Sequence, residues 1–136
     1  MRFTRLVALK LGWLFVAALL LCGIVSATAT EAARPVQWSE VVAWTEHDAA
    51  RFGVSADWLL AVLWCESTGN AYAYGAAGEI GPAQMHPRGI WYSLPESRQV
   101  ALDYSRASLR LQVQAMARAF SYGWQRHWTC ARMFGG

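Results

Sequence analysis

Apolar residues recur at helical spacing along three stretches of the chain. The first runs from Trp38 to Arg51, with Val41, Val42, Trp44 and Ala49 apolar and charges on the other side. Pro35 precedes it and Gly53 follows it, which marks its ends. The second starts after Ser55, an N-capping residue, and has Asp57 in its first turn. From Trp58 to Cys65 every residue is apolar, and the run ends in Glu66. A helix that is hydrophobic all round is buried all round, so this predicts the central helix of the domain. The third runs from Asp103, read as its cap, to Tyr122, with Leu109, Val113, Met116 and Phe120 on one stripe and Gly123 as its stop.

The intervening segments read differently. Residues 69–81 carry four glycines and predict a loop. Pro82 to Met85 has the length of one helical turn, and Pro87 to Pro95 reads as irregular. Runs of β-branched residues are absent, and Ala, Leu, Arg and Trp dominate. The expected fold class is therefore all-α or mainly α.

The first 29 residues stand apart. Arg2, Arg5 and Lys10 form a positive n-region, Leu11 to Val25 is apolar, and small residues follow from Ser26 to Thr30. That is the layout of a secretory signal peptide. An uncleaved anchor is the alternative, because the uncharged run from Leu11 to Thr30 reaches bilayer-spanning length. Residues 30–136 are then the folded domain, expected to be exported to the periplasm or outside the cell. A retained leader would hold it at the inner membrane.

The formal charge of +3 misleads, since the leader holds three of the cations. What remains has nine arginines, no lysine and nine acids. A neutral domain without a basic cluster has no reason to bind nucleic acid. Cys22 falls inside the leader, which leaves Cys65 and Cys130. Two cysteines in an exported domain are expected to pair, with two buried free thiols as the alternative. His47, His86 and His127 lie at no metal-ligand spacing, so no metal is expected.

Glu66 is the candidate for chemistry. Eight apolar residues lead straight into it. Burial disfavours the charged carboxylate, and a carboxylic acid that keeps its proton can protonate the leaving oxygen of a glycosidic bond. A Glu that caps the helix end or reaches solvent is the plain alternative.

The run Glu66-Ser67-Thr68-Gly69-Asn70, followed by Gly78-Glu79-Ile80-Gly81-Pro82-Ala83-Gln84-Met85-His86-Pro87, resembles the soluble lytic transglycosylase family. From Glu66, the offsets to Asn70, Gly78, Gly81, Gln84 and Pro87 follow the family spacing without a gap. The resemblance implies a small lysozyme-like helical domain with a buried central helix and one disulfide. It also implies an enzyme that acts as a monomer on peptidoglycan glycan strands without a cofactor. Glu66 would be the catalytic acid/base, and Ser67 would sit beside it and help orient it. Gln84 would contact sugar, Met85 would line the cleft, and Gly81 would let the backbone approach the glycan. Tyr122, in Ser121-Tyr122-Gly123, is the nearest counterpart of a family tyrosine that partners the acid. Pro82 and Ala83 replace the family's Leu and Met, which would alter a subsite wall, and Ala71 stands where a Pro is common.

In the scheme the resemblance implies, Glu66 protonates the oxygen between N-acetylmuramic acid and N-acetylglucosamine. It then takes the proton of the muramic 6-hydroxyl, and a 1,6-anhydro ring closes. Glu79 and Asp103 are the candidate second carboxylates for a hydrolase, with Glu79 expected at the surface. A muramidase-type or chitinase-like hydrolase on the same fold, or a glycan-binding module that does not cut, are the alternative functions. Of the aromatics, Trp44, Trp58 and Trp64 are expected in the core. Tyr72, Tyr74, Trp91 and Tyr92 in the loops are open between core and sugar contact.

Overall fold

The computed structural model describes residues 34–134, and the helical domain belongs to the unit Val36–Gly136. The leader expected over residues 1–29 lies outside the described residues. Among the described residues there are four α-helices: α1 (Trp38–Phe52), α2 (Ala56–Ser67), α3 (Arg106–Ser121) and α4 (Thr129–Met133). Short 3-10 turns occupy Ile90–Ser93, Pro95–Arg98 and Gln125–His127. No β-strand forms among the described residues, only isolated bridges from Ile80 to Tyr74 and to Met85. The domain is small and all-α, as its composition predicts. No described helix is long and apolar enough to cross a membrane.

Helix α1 begins with a capping box: Glu40 accepts the Gln37 N–H at 3.0 Å and the Gln37 side chain caps in return. Gly53, at φ 68°, ends it in the left-handed region. The helix packs along α3, and here the expected separation of charge from core fails. Asp48 is fully buried on the inner face. Arg110 from α3 meets both of its oxygens, with Nη2 at 2.8 Å from Oδ1. A buried carboxylate survives only when paired and hydrogen-bonded, and a bidentate guanidinium supplies both. Arg106 pairs with Glu40 beside it. The guanidinium groups of Arg106 and Arg110 lie 5.7 and 5.9 Å from the centre of the Trp44 ring, which is only partly buried.

Helix α2 is capped as predicted, Ser55 Oγ accepting the Trp58 N–H at 3.3 Å. It is not buried all round. Leu59, Val62 and Leu63 are fully buried, Trp58 is partly buried, but Ala61 is exposed and Trp64 is 55% exposed. The helix packs chiefly against α1 and α4, and Trp58 reaches Phe120 of α3, which leaves Ala61 and Trp64 at the surface. Trp64 instead packs edge-on against Trp38, with ring centroids 5.4 Å apart, over Gly69.

Helix α3 buries Leu109, Val113, Met116 and Phe120 as expected. Its cap is Ser105, whose Oγ accepts the Ser108 N–H, rather than Asp103. Asp103 closes the preceding turn by accepting the Ser105 N–H at 2.8 Å. Buried Glu96 ties the Pro95–Arg98 turn to α3, accepting from Gln114 Nε2 at 2.8 Å and Arg118 Nε at 2.9 Å.

The C-terminal tail returns to α2. A disulfide joins Cys65 near the end of α2 to Cys130 in α4, with Cα atoms 5.9 Å apart. Trp128 drives into the core beside it, donating Nε1–H to the Ala83 carbonyl at 2.8 Å and packing edge-on against Phe120. The bridge closes a loop of 65 residues, for which the chain-entropy model gives about 4 kcal/mol. Replacing Cys65 and Cys130 by serine is expected to lower the unfolding free energy in urea by about that amount. A loss under about 1 kcal/mol would show that Trp128 alone holds the tail.

Candidate active site

The loop after α2 folds because its backbone can enter the left-handed region repeatedly. Thr68 (φ 53°) ends the helix and Gly69 (φ 74°) continues the reversal. Asn70 Oδ1 then accepts the Tyr72 N–H at 2.9 Å, an Asx turn that reverses the chain again. Asn70 is thus a turn residue, exposed and outside the cavity lining. The chain next doubles back on itself. Gly75 N–H meets the Glu79 carbonyl at 2.8 Å, and Ile80 pairs with Met85 through two bonds of 3.0 Å.

This fold-back sets Glu66, Glu79, Gln84, His86, Ile90, His127 and Trp128 around one cavity of about 340 Å³. Glu66 is half-buried at its wall, and its Oε1 accepts the Cys130 N–H at 3.0 Å. That N–H lies in the first turn of α4, where no intrahelical acceptor exists and Trp128 supplies no side-chain cap. Glu66 therefore caps α4 with one oxygen. Among the described residues its Oε2 accepts no hydrogen bond.

Gln84 has the unusual φ of 44° for a residue with a side chain. Its amide explains how that is held. Nε2 donates to the Gly81 carbonyl at 2.9 Å and to the Ala73 carbonyl at 3.3 Å. The same Ala73 carbonyl accepts from the Tyr104 hydroxyl at 3.2 Å, and partial desolvation of that hydroxyl raises its pKa above the ordinary value. Glu79 is half-buried in the cavity wall rather than at the free surface, its Oε2 accepting the Ala77 N–H at 3.1 Å. Both side chains crowd Gly75: a Cβ there would lie 2.3 Å from Glu79 Oε2 and 2.7 Å from Gln84 Oε1. Glycine at 75 lets the two polar groups close over the backbone.

His86 and His127, distant in the sequence, line the same cavity. His86 Nδ1 accepts the Arg88 N–H at 2.9 Å, so its proton is on Nε2, 3.0 Å from the Ala77 carbonyl. Among the described residues no group of three or more His, Cys, Asp or Glu is placed to hold a metal ion.

Four residues singled out in the sequence do other work. Ser67 is buried and donates its hydroxyl to the Leu63 carbonyl at 2.8 Å, one turn back, so it closes the helix end rather than orienting Glu66. Gly81 approaches protein: a Cβ on it would lie 2.0 Å from Gln112 Oε1 in α3. Met85 is a core residue, 1% exposed, because the turn at Gln84 directs one side chain to the cavity and the next inward. Tyr122 lies outside the cavity. Its ring packs on Trp124 at 5.2 Å, and its hydrogen bond with Arg118 is the main reason that guanidinium's pKa is raised. Pro82 and Ala83 are buried too, and the Ala83 carbonyl receives the tail through Trp128. Of the loop aromatics, Trp91 is fully buried, whereas Tyr72, Tyr74 and Tyr92 are exposed and outside the cavity.

Comparison with known proteins found no matching family model, no matching curated protein and no matching solved structure. The resemblance to transglycosylases thus rests on the motif in residues 66–87.

Gly81→Ala is expected to destabilise the domain by about 1–3 kcal/mol, from a φ of 79° and the contact with Gln112. Urea unfolding checks this. Unchanged stability with impaired glycan binding would return Gly81 to the ligand face.

Proposed function

We propose that the domain cleaves peptidoglycan glycan strands, with Glu66 as general acid and then general base, as a lytic transglycosylase of lysozyme-like fold. One observation carries the reading. Glu66 and Gln84, eighteen residues apart, line a single cavity of about 340 Å³, within the size range of small-ligand sites. The disulfide agrees with an exported protein, where such bonds persist.

In this mechanism the strand lies across the cavity with the glycosidic oxygen at Glu66 Oε2. The Cys130 N–H on Oε1 fixes the carboxyl plane, so proton transfer needs no side-chain rotation. Oε2 gives its proton to the leaving oxygen. The muramic 6-hydroxyl attacks the anomeric carbon and returns a proton to Oε2, which restores the acid. Bonds and protons balance without water.

The position of Glu79 favours a second reading, muramidase-type hydrolysis. A second carboxylate in the same cavity is what water activation requires. The products differ by one water, so mass spectrometry of digested wall separates the two. Anhydro ends from both native protein and Glu79→Gln support the transglycosylase. Reducing ends that vanish with Glu79→Gln support the hydrolase.

Glu66→Gln is the direct test of either. The amide oxygen can still accept the Cys130 N–H, so the cap on α4 survives while the proton is lost. Wall-clearing activity is expected to fall by about 10²–10⁴-fold at unchanged melting temperature. Equal clearing by both proteins removes Glu66 from the chemistry and leaves it a capping residue.

A further inference from the structure

We infer that the groove continues past the candidate active site into a cationic subsite for a carboxylate, centred on Arg126. The inference rests on the glycan-cleaving reading and names the part of the substrate that this reading leaves open.

A second cavity, of about 520 Å³, adjoins the first. The two share Gly89, Ile90 and His127, so a ligand in one meets the other across Ile90. Their charges are opposite. Glu66 and Glu79 line the first, whereas Arg126, His127, Trp124 and Ser93 line the second, with no carboxylate among the lining residues.

Arg110 is committed to Asp48 and Arg118 to Glu96. The Arg126 guanidinium is not. Among the described residues it makes no ion pair and no hydrogen bond, and only its carbonyl is engaged, by Arg132 Nη1 at 3.3 Å. Its backbone is nonetheless held. Gln125 Nε2 donates to the Phe120 carbonyl at 3.1 Å, and the Trp124 ring packs between Tyr122 at 5.2 Å and His127 at 6.5 Å. A fixed indole wall beside an uncommitted guanidinium suits a ligand with a flat or apolar body and a carboxylate.

A muramic residue supplies that chemistry. Its lactyl ether ends in a carboxylate, or in a stem peptide that carries carboxylates of its own. A strand with its scissile oxygen at Glu66 would send this substituent along the groove toward Arg126.

The test uses the full chain and three soluble strand preparations. One keeps its stem peptides. One is stripped by an amidase and keeps the lactyl carboxylate. In the third that carboxylate is capped as a methylamide. Native protein is expected to cut carboxylate-bearing strands with kcat/KM roughly tenfold above the capped strands, mostly through KM. High salt should shrink that preference. Arg126→Gln should abolish the discrimination and Arg126→Lys should restore part of it, both with the native melting temperature. A preference on stem-bearing strands alone assigns the peptide as ligand, and one on stripped strands assigns the lactyl group. Equal rates on all three strands, unaltered in Arg126→Gln, overturn the subsite and leave the cleavage reading standing. No cleavage of any strand by native protein overturns the cleavage reading and this inference with it.

Discussion

Cys130 is held twice by consecutive residues of one helix. Cys65 binds it covalently through sulfur, and Glu66 accepts its backbone N–H. The covalent bond fixes the distance between the end of α2 and the start of α4, and the hydrogen bond then fixes the carboxyl group within that gap. The candidate acid at the end of α2 thus has a defined direction against the docked tail. Trp128 completes the arrangement from the other side, linking the tail to the Ala83 carbonyl in the turn that presents Gln84.

The cavity is accordingly a junction of four separate chain segments: the end of α2, the fold-back at 75–86, the turn at 89–90 and the tail at 127–129. None of them can form it alone. Buried Asp48 on Arg110 joins α1 to α3, and buried Glu96 on Arg118 joins the Pro95–Arg98 turn to α3. Such pairs cost desolvation, and they hold only while both partners are present. Their contribution here is to set how α1 and the Pro95–Arg98 turn lie against α3.

In the proposed reading Glu66 would have two roles that use different oxygens, of which the cap on α4 is the observed one. Capping α4 needs an acceptor, which an amide also provides. Acid chemistry needs a proton, which only the carboxyl provides. That difference makes the structural and the chemical contribution of one side chain separable, and it follows from the hydrogen bond to Cys130 rather than from any likeness to other proteins. The opposite polarity of the two adjoining cavities adds a direction to the groove, with Glu66 and Glu79 at one end and Arg126 at the other.

Gln84 entered through the resemblance of residues 66–87 to a transglycosylase motif. The sequence by itself determined α1, α2 and α3, the caps at Ser55 and Gly53, the buried stripe of α3, the pairing of two cysteines and the choice of Glu66 as candidate acid. These depend on local spacing and residue chemistry, which a linear reading contains. Tertiary structure alone decided the rest. An apolar run such as 58–65 does not say how many neighbours a helix will have, so the exposure of Trp64 was invisible. Alternation along the Gln84–Met85 turn, set by a φ of 44°, sent the glutamine outward and the methionine into the core. The places of Glu79, His86, His127 and Trp128 in one cavity, and of Asp48 inside, depend on contacts between residues distant in the chain. No periodicity encodes such contacts, because they exist only once the disulfide and the fold-back have brought those segments together.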